Sequence, residues 1–184
     1  YVDSLSNRSH SRSNGHDLNV EVNYSDNTWM FNASLGVTPQ SRTIDRKVGK
    51  LYADTAMNMI DFQPMIWMSW RKKEMRVSLN YNGNTRQPSL SDLMPLTDNS
   101  NPLYITRGNP DLKQMFSHNI RLNFQNSPKG ISANLGGQVE QNSVTQVMIY
   151  DVQTGGRETY PVNINGNWNL FGGASWWKRF GHFS

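Results

Sequence analysis

Histidines and acidic residues are the side chains best suited to catalyse a reaction or hold a metal, and in this sequence they are dispersed. The four histidines show no spacing typical of metal ligands. They are His10, His16, His118 and His182. Residues 98–101 (Asp-Asn-Ser-Asn) carry oxygen ligands as a calcium loop does, but the glycine and the distal glutamate of such a loop are missing. No catalytic triad or carboxylate pair can be assembled, so we expect no enzyme activity, no metal site and no cofactor.

A second group of polar and aromatic residues could bind a solute without reacting with it. The candidates are Tyr104, Arg107, Asn109 and Asp111. Side chains of these types often contact a solute at the mouth of a barrel. The competing interpretation is structural and is the stronger one: Asn109, Pro110 and Asp111 shape a turn, and Arg107 pairs locally.

The composition of the 184 residues excludes several other classes of protein. There is no cysteine, so a disulfide framework and a cysteine metal site are excluded. The formal net charge is +4, and the basic clusters at 71–73 and 178–179 are too short for the face that binds nucleic acid. The chain begins at Tyr1 without a secretory signal, so we expect it to be a piece of a longer protein.

Alternation of apolar and polar residues with a period of two predicts β-strands along most of the chain. The predicted strands cover 18–24, 29–37, 61–70, 75–81, 116–124, 131–150 and 160–174, and an eighth would begin at 180. The last complete strand carries four asparagines opposite its apolar row, at 163, 165, 167 and 169. In a barrel, this amide row would face a hydrated lumen.

The connections between the predicted strands alternate between short and long. The short ones are 25–28, 71–74, 126–130 and 176–180, and the long ones are 1–16, 38–60, 83–114 and 151–158. In an up-and-down meander, alternate connections lie at the same end, and outer-membrane barrels have this asymmetry of short and long connections. Aromatic residues flank the short turns and predict an interfacial girdle on that side. They are Tyr24, Trp29, Trp70, Phe124, Trp176, Trp177 and Phe180.

The longest of these connections contains three motifs that carry a resemblance to a known family. They are TRQPSLSDL at 85–93, DNSNPL at 98–103 and GNPDLK at 108–113. Together they resemble the β-barrel domain of TonB-dependent outer-membrane receptors. In that family a Gly-Asn-Pro-x-Leu-Lys element ends an extracellular loop and starts a barrel strand. This chain departs from the family at Gln114 and Met115, where proline and glutamate usually follow.

The resemblance implies an all-β fold, an antiparallel up-and-down meander that is part of a large transmembrane β-barrel. Residues 1–184 would supply about eight of its ~22 strands. The implied function is uptake of a solute across the outer membrane of a Gram-negative bacterium. The implied partners are outer-membrane lipid, an extracellular solute, and a plug domain and TonB system outside this chain.

The strand pattern without the resemblance also fits a soluble or cell-surface β-domain, such as a carbohydrate-binding module or an adhesin. The two alternatives differ in where the apolar rows point. Leu122, Leu135, Ile164 and Trp168 would contact hydrocarbon in a membrane barrel, but would pack together between two layers in a soluble domain. A part of a barrel also has two open sheet edges, so we expect edge-to-edge self-association of the isolated chain.

Overall fold

The computed structural model of the protein describes residues 7–48, 51–94, 97–101 and 103–178. Within these ranges lie twelve strands and one short helix. The strands are β1 (Asn7–Gly15), β2 (Leu18–Ser25), β3 (Trp29–Val48), β4 (Leu51–Lys72), β5 (Met75–Arg86), β6 (Thr97–Asn101), β7 (Tyr104–Arg107), β8 (Met115–Asn126), β9 (Ile131–Gln141), β10 (Ser143–Tyr150), β11 (Arg157–Ile164) and β12 (Asn167–Trp176). The helix is α1 (Leu90–Leu93). The expected eighth strand and Phe180 lie outside the described residues.

Eight of the described strands form one large antiparallel sheet, which is not closed. Its order is β1, β3, β4, β5, β8, β9 and β12, and β2 pairs with the part of β3 that β1 leaves free. From β2 onward, strands of this sheet that are consecutive in the chain are neighbours, apart from excursions between β5 and β8 and between β9 and β12. The predicted all-β fold with an antiparallel meander is therefore confirmed.

The short connections lie at one end of the large sheet, which we call the turn rim. It is formed by the turns at 26–28, 73–74 and 127–130. Lys73 adopts a φ of 50° in its two-residue turn, and Gly130 adopts 63°. At the same rim the rings of Trp29 and Trp70 lie 6.4 Å apart, and the Trp177 amide donates to the Gly130 carbonyl at 2.8 Å. The described members of the predicted girdle thus lie beside these turns.

At the opposite end the strands continue much further than the hydropathy pattern predicts. We expected a loop at 38–60, but β3 and β4 pair in unbroken register from Trp29 opposite Trp70 to Val48 opposite Leu51. Residues 7–15, expected within an irregular terminus, add β1 beside β3. Both predictions were wrong because they relied on apolar alternation. Where both faces of a sheet are in water, the alternation is lost but the backbone pairing continues. The 20 residues of β3 span ~66 Å, far more than the ~25 Å apolar band of an outer-membrane barrel.

The pairing of β4 with β5 changes at Pro64. The ladder between β4 and β5 begins one residue later, at Met65, as expected for a proline at a boundary. Beyond it the Thr85 hydroxyl replaces the missing backbone partner. It accepts from the Phe62 amide at 2.9 Å and donates to the Phe62 carbonyl at 3.1 Å.

The two long strands predicted at 131–150 and 160–174 are each divided by a bend. Asn142, with a φ of 54°, separates β9 from β10, and Gly166, with a φ of 88°, lies between β11 and β12. The prediction failed because the apolar positions keep the same parity on both sides of each bend, so the polar residues between them were interpreted as part of one continuous strand. The predicted amide row is divided as well, since Asn163 belongs to β11, Asn165 to the bend, and Asn167 and Asn169 to β12.

Above the bends, β10 and β11 leave the large sheet and join the long connection between β5 and β8. They form a small sheet with the order β10, β11, β7 and β6, in which β11 and β7 run parallel. Apolar burial in the described residues is concentrated beneath this small sheet, at Leu93, Met94 and Leu112. In the part of the chain described, no helix has the length and apolar character needed to cross a membrane.

Candidate functional site

The apolar side chains of the large sheet share one face and remain exposed. Cross-strand pairs such as Leu79 with Leu122 and Leu122 with Leu135 carry the apolar rows from strand to strand. Leu122 is 42%, Leu135 52% and Trp168 69% exposed. Ile164, in the small sheet, is also exposed. These residues are not packed between two layers, so the rows form a surface that suits hydrocarbon and not a dry core.

The opposite face of the large sheet is rich in amides and is concave. A cleft of about 730 Å³ on this face is lined by residues of β2, β3, β4, β5, β8 and β9. A second cleft of about 540 Å³ is lined by Asn80, Asn119 and Arg121, among others. A sheet that is polar on its concave side and apolar on its convex side has the cross-section of a barrel wall with a hydrated lumen.

Amide side chains on this concave face bind one another across the strands. Asn32 donates to the carboxylate of Glu21 and to the side-chain oxygen of Asn23, both at 2.5 Å. At the other edge Asn167 donates to the Glu140 carboxylate at 2.6 Å. Such contacts stabilise the alignment of neighbouring strands without an apolar core.

Residues 108–113, the Gly-Asn-Pro-Asp-Leu-Lys segment, form a compact turn that we call the loop element. A Cβ at Gly108 would overlap the Met94 carbonyl, so a side chain there would displace the backbone. The Asn109 amide donates to the Asp92 carbonyl at 2.5 Å, and its side-chain oxygen accepts from the Asp111 amide at 3.0 Å. The motif therefore fixes the path of the chain between α1 and β8.

The loop element is bound to the small sheet through asparagine side chains. The Asn109 amide group donates to the Pro161 carbonyl at 3.0 Å. Asn163 pairs with Lys113 as a strand would: its oxygen accepts from the Lys113 amide at 2.7 Å and its nitrogen donates to the Lys113 carbonyl at 3.0 Å. The same nitrogen donates to the Asn142 carbonyl at 2.8 Å. One side chain thus connects the loop element to the bend after β9.

A small buried cluster lies beneath these contacts. Leu93 and Met94 are each 2% exposed and Leu112 is 7% exposed, and Pro161 is fully buried. The Ser89 hydroxyl accepts from the Asp92 amide at 3.2 Å and caps α1. Burial of these side chains holds the small sheet and the loop element together as one unit over this end of the large sheet.

The structure separates the four residues predicted to contact a solute. Tyr104 and Arg107 are three residues apart on β7 and lie on opposite faces of the small sheet. Tyr104 stacks against the Arg157 guanidinium, at 4.4 Å. Arg107 forms an ion pair with Glu158 and lies 4.5 Å from the centre of the Tyr160 ring. The expected local pairing of Arg107 is therefore confirmed.

The other two candidates lie in the loop element. Asn109 has both ends of its side chain bound within the chain, as the structural interpretation predicted. The Asp111 side chain is exposed, and only its backbone amide takes part in the turn. A role for Tyr104, Arg107, Asn109 or Asp111 in solute binding stays a prediction.

Two ionisable groups at the long-connection end have shifted pKa values. The Thr154 hydroxyl and the Gln153 amide donate to the Asp151 carboxylate and lower its pKa. The nearby negative charge of Asp45 raises the pKa of Tyr52 in the projecting part of β4. The tip of the β10–β11 turn therefore keeps its negative charge at neutral pH.

Sequence reasoning missed Asn163, Pro161 and Thr85 as structural contacts. Asn163 was interpreted as one of a uniform amide row. The available signal was its position two residues after Pro161, since a proline within a strand marks an irregularity. Thr85 opened the TRQPSLSDL motif without an assigned role. Across the described ranges, no group of three histidines or acids is arranged to hold a metal ion.

Comparisons with known proteins agree with this geometry. Residues 22–180 match the profile of a family described as "Outer membrane protein beta-barrel family". The search of curated protein sequences gives no match. Among solved structures, the siderophore receptor PirA from Pseudomonas aeruginosa is similar in fold, with a TM-score of 0.53 and 14% identity. The alignment covers 90% of this chain but 40% of the receptor chain, so this chain spans less than half of the receptor's length.

Proposed function

Because the chain belongs to the outer membrane protein β-barrel family, we propose that it is part of the wall and outer loops of a TonB-dependent receptor. The family places the chain in the outer membrane. Uptake of a specific solute, with energy supplied through TonB, is the function that we assign to the whole protein.

The observation that carries this proposal is the two-faced, open sheet. Its convex side exposes apolar rows and its concave side exposes amides around clefts of about 730 and 540 Å³. A closed wall of this type needs further strands, and the lumen of a large outer-membrane transporter barrel is plugged. We therefore propose that a plug domain and the segment that contacts TonB belong to the same protein but lie outside this chain.

The loop element supports the finer assignment to a TonB-dependent receptor. Its glycine, asparagine and leucine each have a contact that explains the residue type, at Gly108, Asn109 and Leu112, whereas Lys113 contributes its backbone. The proline completes the turn. The loop element ends an outer connection and leads into β8, which is the position that the resemblance implies. The fold of the siderophore receptor supports the same class of protein.

A solute would meet the small sheet and the loop element before it reached the concave face. Tyr104 is 52% exposed there, and the carboxylate of Asp111 has no hydrogen-bond partner among the described residues. We propose these two side chains as the candidates for solute contact, because the polar groups of Arg107 and Asn109 are engaged within the chain. The proposal includes no catalysed reaction and no nucleic-acid partner.

A test uses the full-length protein in its own cells. The gene for the protein and the gene for TonB are deleted separately, and the loss of solutes from a complex medium is followed by mass spectrometry. The proposal predicts that both deletions abolish uptake of the same solute while the protein remains in the outer-membrane fraction of the strain without TonB. Uptake that continues without TonB would contradict the proposal that TonB supplies the energy.

A further inference from the structure

The described part of the turn rim is strongly basic. Among the described residues, six basic and two acidic residues lie at or next to the turns. The basic ones are Arg71, Lys72, Lys73, Arg76, Lys129 and Lys178, and the acidic ones are Asp26 and Glu74. These six positive and two negative charges give the described part of the rim a formal charge of +4.

Two of these lysines continue the apolar rows beyond the aromatic girdle. Lys72 follows Trp70 by two residues on β4, and Lys178 follows Trp176 by two residues at the end of β12. A spacing of two in an extended chain places the lysine on the same side as the tryptophan. Trp177 preserves the extended path, since its amide binds the Gly130 carbonyl at 2.8 Å. At both places a tryptophan is followed on the lipid-facing side by a cation, one step closer to water.

Asp26 and Glu74, the two described acids of the rim, are too few to balance its six described basic residues. The carboxylate of Asp26 is bound within its own turn, to the amides of Thr28 and Trp29 and to the Tyr24 hydroxyl. In the described ranges, no carboxylate lies within ion-pair distance of Lys72, Lys73 or Lys129. These side chains are exposed.

Two arginines of the rim point the other way. Arg71 and Arg76 are direct cross-strand partners, and they line a cleft of about 380 Å³ with Lys73 and Gln125. Arg71 lies between the lipid-facing positions Trp70 and Lys72, so it belongs to the concave side. The rim therefore offers a natural comparison between charges that face lipid and charges that face the lumen.

We propose that the lipid-facing lysines of the turn rim bind the headgroups of anionic phospholipids in the periplasmic leaflet. Short turns of outer-membrane barrels lie on the periplasmic side, and tryptophan rings settle at headgroup level. Lys72 and Lys178 then reach the phosphate layer with their aliphatic stems along the apolar rows. An anionic headgroup such as phosphatidylglycerol supplies the charge that the rim lacks. This inference requires the membrane orientation but not solute uptake, so the two can fail independently.

The experiment measures how strongly brominated lipids quench the fluorescence of the girdle tryptophans. Full-length protein is reconstituted in phosphatidylcholine vesicles that contain a fraction of brominated phosphatidylglycerol or the same fraction of brominated phosphatidylcholine. Bromine quenches the fluorescence of nearby indoles. We expect the anionic lipid to associate about fivefold more strongly at low salt, the effect of one lysine close to an anionic surface, and to lose the preference at ~1 M salt.

Two matched double variants show which side of the turn rim produces the preference for anionic lipid. Lys72→Gln with Lys178→Gln removes two lipid-facing charges, and Arg71→Gln with Arg76→Gln removes two charges from the concave side of the same rim. The first variant should reduce the preference to within about twofold, and the second should retain it. Equal quenching by both lipids in the unaltered protein would overturn the proposal, and so would equal loss in both variants. The comparison of lipids in the unaltered protein remains decisive even if a variant fails to assemble.

Discussion

Replacement of Asn163 by alanine should release the loop element from the small sheet. The asparagine side chain makes three hydrogen bonds, two to the backbone of Lys113 and one to the Asn142 carbonyl, at 2.7 to 3.0 Å. A hydrogen bond contributes ~0.5–1.5 kcal/mol net, and water can replace the two bonds to Lys113 because they are exposed. We therefore expect the free energy of local opening to fall by about 1–2 kcal/mol.

Hydrogen exchange on the full-length protein in detergent measures this effect directly. Since 1.4 kcal/mol corresponds to a factor of ten, exchange of the Lys113 amide should accelerate about tenfold, whereas amides in the middle of β8 should not change. Asn169→Ala is the matched control, because Asn169 makes one long side-chain bond, 3.4 Å to Gln138. Unchanged protection of Lys113 in Asn163→Ala would refute the role that we assign to this asparagine.

Three further predictions concern the wall, the turn rim and the sheet edges. Thr85→Val keeps the shape of the side chain but removes both hydrogen bonds to the Phe62 backbone. The midpoint of thermal unfolding in detergent should therefore fall by an amount equivalent to about 1–3 kcal/mol. Thr85→Ser keeps the hydroxyl and should retain most of the stability. At the turn rim, hydrogen bonds from the Trp29 amide, the Tyr24 hydroxyl and the Thr28 amide lower the pKa of Asp26 below 3.8. The contribution of Asp26 to stability is therefore present above pH 3.8 and is lost as the pH falls through the lowered pKa. Asp26→Asn should flatten this part of the stability profile, and an unchanged profile would contradict a stabilising role for the Asp26 carboxylate. The isolated 184-residue chain without detergent should form oligomers through its open edges, and a monomer on size-exclusion chromatography would show that the edges are protected.

Alternation was a reliable guide wherever one face of the sheet carries an exposed apolar row. The segments 29–37 and 116–124 were predicted almost to their ends in the part that carries apolar rows. The segment 38–60 was interpreted as a loop because both of its faces are polar enough for water, although its backbone pairs as regularly as the rest of β3 and β4. Hydropathy reports the environment of the side chains, and backbone pairing does not depend on that environment.

The candidate site was less predictable because it depends on bends and on contacts far apart in the sequence. Positive φ angles at Asn142 and Gly166 redirect β10 and β11 into the small sheet, and the apolar positions have the same parity on both sides of each residue. The contact between Asn163 and Lys113 joins residues 50 positions apart. The Gly-Asn-Pro-Asp-Leu-Lys motif did predict a turn that leads into β8, because Gly108, the Asn109 side chain and Leu112 make contacts that require their residue types.

The central claim is that the apolar rows face hydrocarbon and the amide face borders water. Because this chain has no cysteine, single cysteines introduced into it can carry a spin label at a known position. Labels at Leu122 and Leu135 test the convex face, and labels at Asn123 and Asn134 test the concave face at the same level of the wall. In the full-length protein in bilayers, the first pair should be accessible to oxygen and shielded from a water-soluble nickel chelate, with the reverse for the second pair. Equal access of the chelate to all four labels, or shielding of all four from both reagents, would contradict the account.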